Sequence, residues 1–194
     1  MKKMISALML VSIIALTSNF AKAQAWERNS RVIAVGFGVS QFYHLDNYYY
    51  LDYYRGRSWY SPTTLQLNLQ MEFSIHKYVG LGFTTGIGGR GGLRSDYFGE
   101  FNVPIGIIAN FHFYQLIEDR TVKNIHADKL DIYLGASLGS GFAIAYYNNF
   151  NRVVPMAFGG IHLGVRYYFA PKVGINCEVG WGKSLVNAGF VFKM

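Results

Sequence analysis

Six ionisable residues could do chemistry together if the chain brings them to one place: Glu72, His112, Asp131, His162, Arg166 and Glu178. Carboxylates beside imidazoles suggest acid–base work or a metal site, and beside an arginine they suggest mutual neutralisation. No His, Cys or carboxylate cluster falls at metal-ligand spacing, so no metal and no cofactor is expected. Ser40, His44 and Asp46 supply the residue types of a hydrolytic triad, yet they fall across a strand end and a loop with no recognisable spacing. Gly86-Ile87-Gly88-Gly89-Arg90-Gly91 satisfies G-x-G-x-x-G, but a phosphate cradle needs a helix N-terminus next and Leu93 to Glu100 offers none. That segment reads as a flexible outer loop. No catalytic residue is assigned, and the chain is expected not to be an enzyme.

The elements that must position these residues begin after an export signal. Met1-Lys2-Lys3 gives a positive start, Ile5 to Leu16 an apolar run, and Ala21-Lys22-Ala23 a cleavage site, so residues 1–23 are expected to be removed and 24–194 to form one domain. The 194-residue chain is 51% hydrophobic and 17% aromatic but only 15% charged, against a usual charged share near 25%. Its formal charge of +7 includes three lysines of the signal. The mild basicity left over does not argue for nucleic acid, a partner that exported proteins rarely meet. The lone Cys177 excludes an internal disulfide framework.

Alternation of period two runs through the rest. Leu65, Leu67, Leu69, Met71, Phe73 and Ile75 share one face, with Gln66, Asn68, Gln70, Glu72 and Ser74 on the other. Similar segments follow at 79–88, 103–113, 131–142, 160–169 and 173–181, and strands near Val32 to Phe42 and Leu185 to Met194 bring the count to about eight. An eight-stranded barrel has an interior only just wide enough for side chains. The bulky apolar face would overfill it, while the Gly, Ser, Thr and Asn face fits. The oily side must then look out, which is tolerable only in lipid. The expected fold class is all-β: a closed antiparallel up-and-down transmembrane β-barrel of about eight strands. Connections near 44–63, 89–99, 147–156 and 182–184 share one end, and those near 76–78, 114–129 and 170–172 the other, with both termini. Aromatics at Phe111, Phe113, Tyr167, Phe169 and Phe192 below, and Phe101, Phe158 and Trp181 above, would form interfacial girdles.

With a signal peptide, eight amphipathic strands and the ending Gly189-Phe190-Val191-Phe192-Lys193-Met194, the chain resembles the small outer-membrane barrels of the OmpA and OmpX type. The resemblance implies a place in the cell outer membrane among its lipid and lipopolysaccharide, insertion by the barrel-assembly machinery, and a monomer. It carries over no catalytic residue.

By parity the six ionisable residues face the lumen. A hairpin centred near Lys172 would set Arg166 across from Glu178, with Glu72 reaching Arg166 from the far wall, and charges in so narrow a space need partners. One reading is a salt-bridged plug; the other is a gate or narrow ion path through the glycine-lined interior. The second candidate site is the stretch from Tyr43 to Tyr60, which holds seven of the 15 tyrosines. Tyr48, Tyr49, Tyr50, Tyr53, Tyr54, Arg55, Arg57, Trp59 and Tyr60 could bind an extracellular protein, a glycan or lipopolysaccharide phosphates, or form an aromatic belt on a projecting hairpin. A structural or surface-binding role is expected first, a narrow pore second, and a lipid-modifying enzyme third.

Overall fold

The computed structural model describes residues 25–45, 63–91, 99–121, 125–147, 150–183 and 185–194. The expected export segment and the loop residues from Tyr48 to Tyr60 lie outside them. Strands run in chain order as β1 (Arg31–Gln41), β2 (Tyr43–His44), β3 (Thr63–His76), β4 (Val79–Gly91), β5 (Gly99–Phe111), β6 (Leu130–Tyr147), β7 (Phe150–Ala170), β8 (Val173–Gly180) and β9 (Val186–Lys193), with one helix, α1 (Phe113–Arg120), between β5 and β6.

Eight long strands pair antiparallel with their neighbours, and β1 pairs with both β3 and β9, so the sheet closes on itself. Closure leaves the long strands no free lateral edge, as a sheet in hydrocarbon requires. The period of two sets the faces. On β3, Leu65, Leu67 and Leu69 are exposed while Gln66, Asn68, Gln70 and Glu72 are buried, and Phe83, Ile105, Leu138, Ile161 and Phe190 extend the apolar exterior around the wall. Cys177 stands on that outer face.

The strands are longer at the outer end than alternation suggests. β4 continues to Gly91, paired with Gly99, so Gly86 to Gly91 is strand and not a loop. β6 and β7 pair up to Tyr147 and Phe150, which turns the expected 147–156 loop into the tip of a tall hairpin. β7 alone has 21 residues, whereas about 9–11 suffice to cross a bilayer. In this stretch the buried, inward residues Ala143, Val154 and Met156 are as apolar as exposed Val153, so the apolar/polar alternation that marks a strand fades although its backbone bonds continue.

β8 and β9 are the shortest of the eight, with eight residues each. Their turn ends low, at Gly182, whose φ of 85° favours glycine. The missing wall above it is supplied by the chain that follows β1. After Phe42 the chain continues as β2, which pairs with Ala157 and Met156 of β7 in the place β8 and β9 leave empty. Backbone bonds tie the rim: Leu45 N donates to Pro155 O at 2.8 Å and Leu185 N to Val39 O at 2.7 Å.

At the opposite end, residues 25–30 pack across the mouth. Ala25 N donates to Ala127 O and Ser74 N to Ser30 O, each at 2.9 Å. Ala25 and Trp26 join Val32, Ala34, Tyr168 and Val191 in a buried apolar cluster.

Candidate functional site

The buried middle of the barrel is ionic. Arg166, projecting inward from β7, donates from Nη2 to Glu72 Oε2 of β3 at 2.6 Å, and its Nη1 stands 3.6 Å from Asp131 Oδ2 of β6. His112, the residue after β5, lies between the same two carboxylates, with Nε2 at 2.9 Å from Glu72 Oε1 and Nδ1 at 2.8 Å from Asp131 Oδ1. The guanidinium sits over the Tyr133 ring at 4.2 Å from its centroid, which adds a cation–π attraction in a water-poor setting.

A second ion pair lies on the outer side. Lys183 Nζ approaches Glu178 Oε2 at 2.7 Å and Gln70 Oε1 at 2.6 Å. Tyr133 links the two halves, because its hydroxyl donates to Glu178 Oε1 at 2.7 Å while its ring carries Arg166. His162 Nε2 faces Asn110 Oδ1 at 3.1 Å and Glu178 Oε1 at 3.8 Å. The Tyr133 ring needs the gap at Gly164, where any Cβ would collide with it. Further out, Phe42 and Phe158 meet edge-to-face with centroids 5.5 Å apart and pack with Ala143 and Met156.

The lumen is therefore filled in three layers: an apolar base under Trp26, the ionic middle, and an aromatic cluster toward the outer end. Burying each ion costs several kcal/mol, and only well-placed partners offset that cost. These contacts span β3, β6, β7, β8 and the β8–β9 turn, so they brace opposite walls and leave the charges mutually neutralised.

The fold of the barrel matches solved structures. The N-terminal β-barrel domain of Pseudomonas aeruginosa OprF superposes with a TM-score of 0.53 at 14% identity, over 86% of this chain and 98% of that one. Neisserial surface protein A superposes with a TM-score of 0.52 at 15% identity, over 85% and 96%. The fold is that of the small outer-membrane β-barrels. At this identity the likeness concerns the fold alone. No family model and no curated protein matches the chain.

Within this outer-membrane-type barrel, Glu72, His112, Asp131, Arg166, His162 and Glu178 are all buried in the lumen. Two expectations need correction. Arg166 stands opposite Asn176, not Glu178, because the turn is centred between Pro171 and Lys172, pairing Ala170 with Val173, and an irregularity between Tyr168 and Ala170 shifts the β7–β8 register by one residue more; Glu178 takes Lys183 as its cation instead. Phe158 is buried inside and belongs to no outer girdle, as its parity with His162 and Arg166 requires.

Lys183 and Trp26 had no sequence signal. Lys183 lies in a tight turn, where alternation says nothing of direction, and Trp26 precedes the first strand. Ser40 faces inward and is fully buried, while Asp46, its expected triad partner, lies outside the described residues. Among the described residues no group of three or more His, Cys, Asp or Glu is placed to hold a metal ion.

Beyond the end of the barrel wall, the β3–β4 turn joins α1. Lys77 Nζ lies 2.7 Å from Asp119 Oδ2, and the Tyr78 hydroxyl donates to the same oxygen at 2.8 Å. The hydrogen bond to Asp119 raises the Lys77 ammonium above its ordinary range. For Asp119 partial burial pushes upward, but the bonds from Lys77 and Tyr78 prevail and hold the carboxyl below its usual range.

Proposed function

We propose that the chain is a non-enzymatic outer-membrane barrel with a closed lumen, whose role is structural or surface-binding and is exerted through its extracellular aromatic loops. The observation that carries this reading is the pairing of an apolar outer wall with a lumen filled by neutralised charges and aromatic rings. The wall suits lipid. The filled interior argues against a transport role and leaves the outer end as the working surface.

At that end β6 and β7 rise well past the length a bilayer needs, and the Tyr48 to Tyr60 stretch connects β1 and β2 to β3. Tyrosine and arginine give large contact area at modest entropy cost, which suits a protein, a glycan or lipopolysaccharide phosphates as ligand. Export by a cleaved signal, insertion by the barrel-assembly machinery and a monomeric state complete the reading.

The test is deletion of residues 46–58 in cells that display the protein. Loss of cell-surface or ligand binding, with the barrel still in the outer-membrane fraction, supports the reading. Undiminished binding would refute the loop's part in it, and recovery of the full chain in the soluble fraction would refute the membrane placement.

A further inference from the structure

His112 is tied to more than the lumen charges. Its ring stacks on the Trp26 indole with centroids 3.6 Å apart and planes within 7°, so the imidazole joins the ionic middle to the segment that covers the barrel mouth. Both ring nitrogens face carboxylate oxygens at 2.8 to 2.9 Å, and an ionised carboxylate only accepts. Both nitrogens must then donate, which is the imidazolium form.

Charge balance agrees. Glu72, Asp131 and Glu178 place three negative charges in the buried network, while Arg166 and Lys183 supply two positive ones. A cationic His112 is the third. The groups around it are Glu72 of β3, Asp131 and Tyr133 of β6, and Arg166 and Tyr168 of β7. Val32 and Ala34 of β1 and Val191 of β9 pack around Trp26, which the N-terminal segment contributes. The indole face over an imidazolium gains cation–π attraction that a neutral ring would lack.

Among the described residues few polar contacts hold the N-terminal segment to the barrel. Besides the backbone bonds of Ala25 and Ser30 it has the Lys193 Nζ to Glu27 Oε1 contact at 2.7 Å, and the Trp26 indole N–H is buried without a hydrogen-bond partner. Trp26 stays in place by packing and by its stack on His112. We propose that His112 is a fixed imidazolium that latches the N-terminal segment across the periplasmic mouth, so that loss of its charge releases Trp26 and admits water to the lower lumen. The latch does not depend on what the outer loops bind.

The test uses the folded chain from Gln24 in detergent micelles, with Trp59→Phe and Trp181→Phe so that Trp26 is the one tryptophan, excited at the red edge where tyrosine does not absorb. Acrylamide quenching should be weak at neutral pH and rise several-fold as alkali removes the ring proton, or when His112→Gln is introduced. Nitrogen NMR of His112 at neutral pH should show both ring nitrogens protonated, a measurement that needs no substitution at position 112. A neutral tautomer, or quenching of a folded His112→Gln variant equal to that of its parent, would overturn the proposal.

Discussion

Arg166 and Glu72 meet at 2.6 Å from β7 and β3, strands that are not neighbours in the ring. A bond between them therefore spans the barrel and does not merely reinforce one hairpin. Removing one partner strands the other in a water-poor lumen, and breaking a buried pair in this way typically costs about 3–5 kcal/mol. Arg166→Ala should lower the unfolding free energy in urea by about that amount, whereas Arg166→Met with Glu72→Leu should recover a large part of the loss. A double-variant loss equal to the sum of the two single-variant losses would show that the pair is not coupled.

Lys183 should behave as a lumen residue despite its place in a turn. Lys183→Met leaves Glu178 with Tyr133 and Gln70 as neutral hydrogen-bond donors and with His162 Nε2 at 3.8 Å. Its cost should be on the order of 3 kcal/mol, since an uncompensated carboxylate remains buried. Adding Glu178→Gln should restore most of it, as read from paired unfolding curves.

How far the sequence foretold this site depended on local geometry. The alternation of Leu65 to Ile75 gave the inward face of β3, and with it Glu72 and Gln70, because pleated backbone fixes side-chain direction. Lys183 was invisible because turn residues have no parity. The partner of Arg166 depends on the centre of the turn and on the irregularity near Phe169, each worth one residue of register, and neither is set by the alternation. The outer reaches of β6 and β7 carry no apolar/polar alternation, because their inward residues Ala143, Val154 and Met156 are apolar too.

The Tyr133 ring requires the open space at Gly164. Gly164→Leu should push the ring off its seat, weakening the Arg166 stack and the bond to Glu178 together, with a loss of about 1–3 kcal/mol from overpacking alone. The Tyr133 ring resonances should shift in NMR spectra of the folded variant, and unchanged shifts would contradict the packing described.

Acid should act at the rim. The folded Asp119 carboxyl lies below its ordinary value of 3.8, so its contribution is present above that value and is lost as pH falls through the lower folded value. The Tyr78 ring signals should stay constant from neutral pH down to about 4 and move only below it. Both groups are largely exposed, and the stabilisation involved is small.

The outer wall offers a test of its setting. Leu138 is among the most exposed apolar residues, and an arginine on a lipid-facing wall costs about 2–4 kcal/mol at the bilayer midplane. Leu138→Arg should destabilise the barrel in phospholipid vesicles; a neutral effect there would argue that this face does not meet lipid.

The most direct measurement is conductance of the folded chain from Gln24 to Met194 across a planar bilayer at neutral pH. A lumen closed by Trp26, the Glu72–His112–Asp131–Arg166 network and the Phe42–Phe158 cluster predicts a silent membrane containing verified folded protein. Discrete, reproducible openings would contradict the closed lumen and turn attention to a path past Glu72, Arg166 and Glu178.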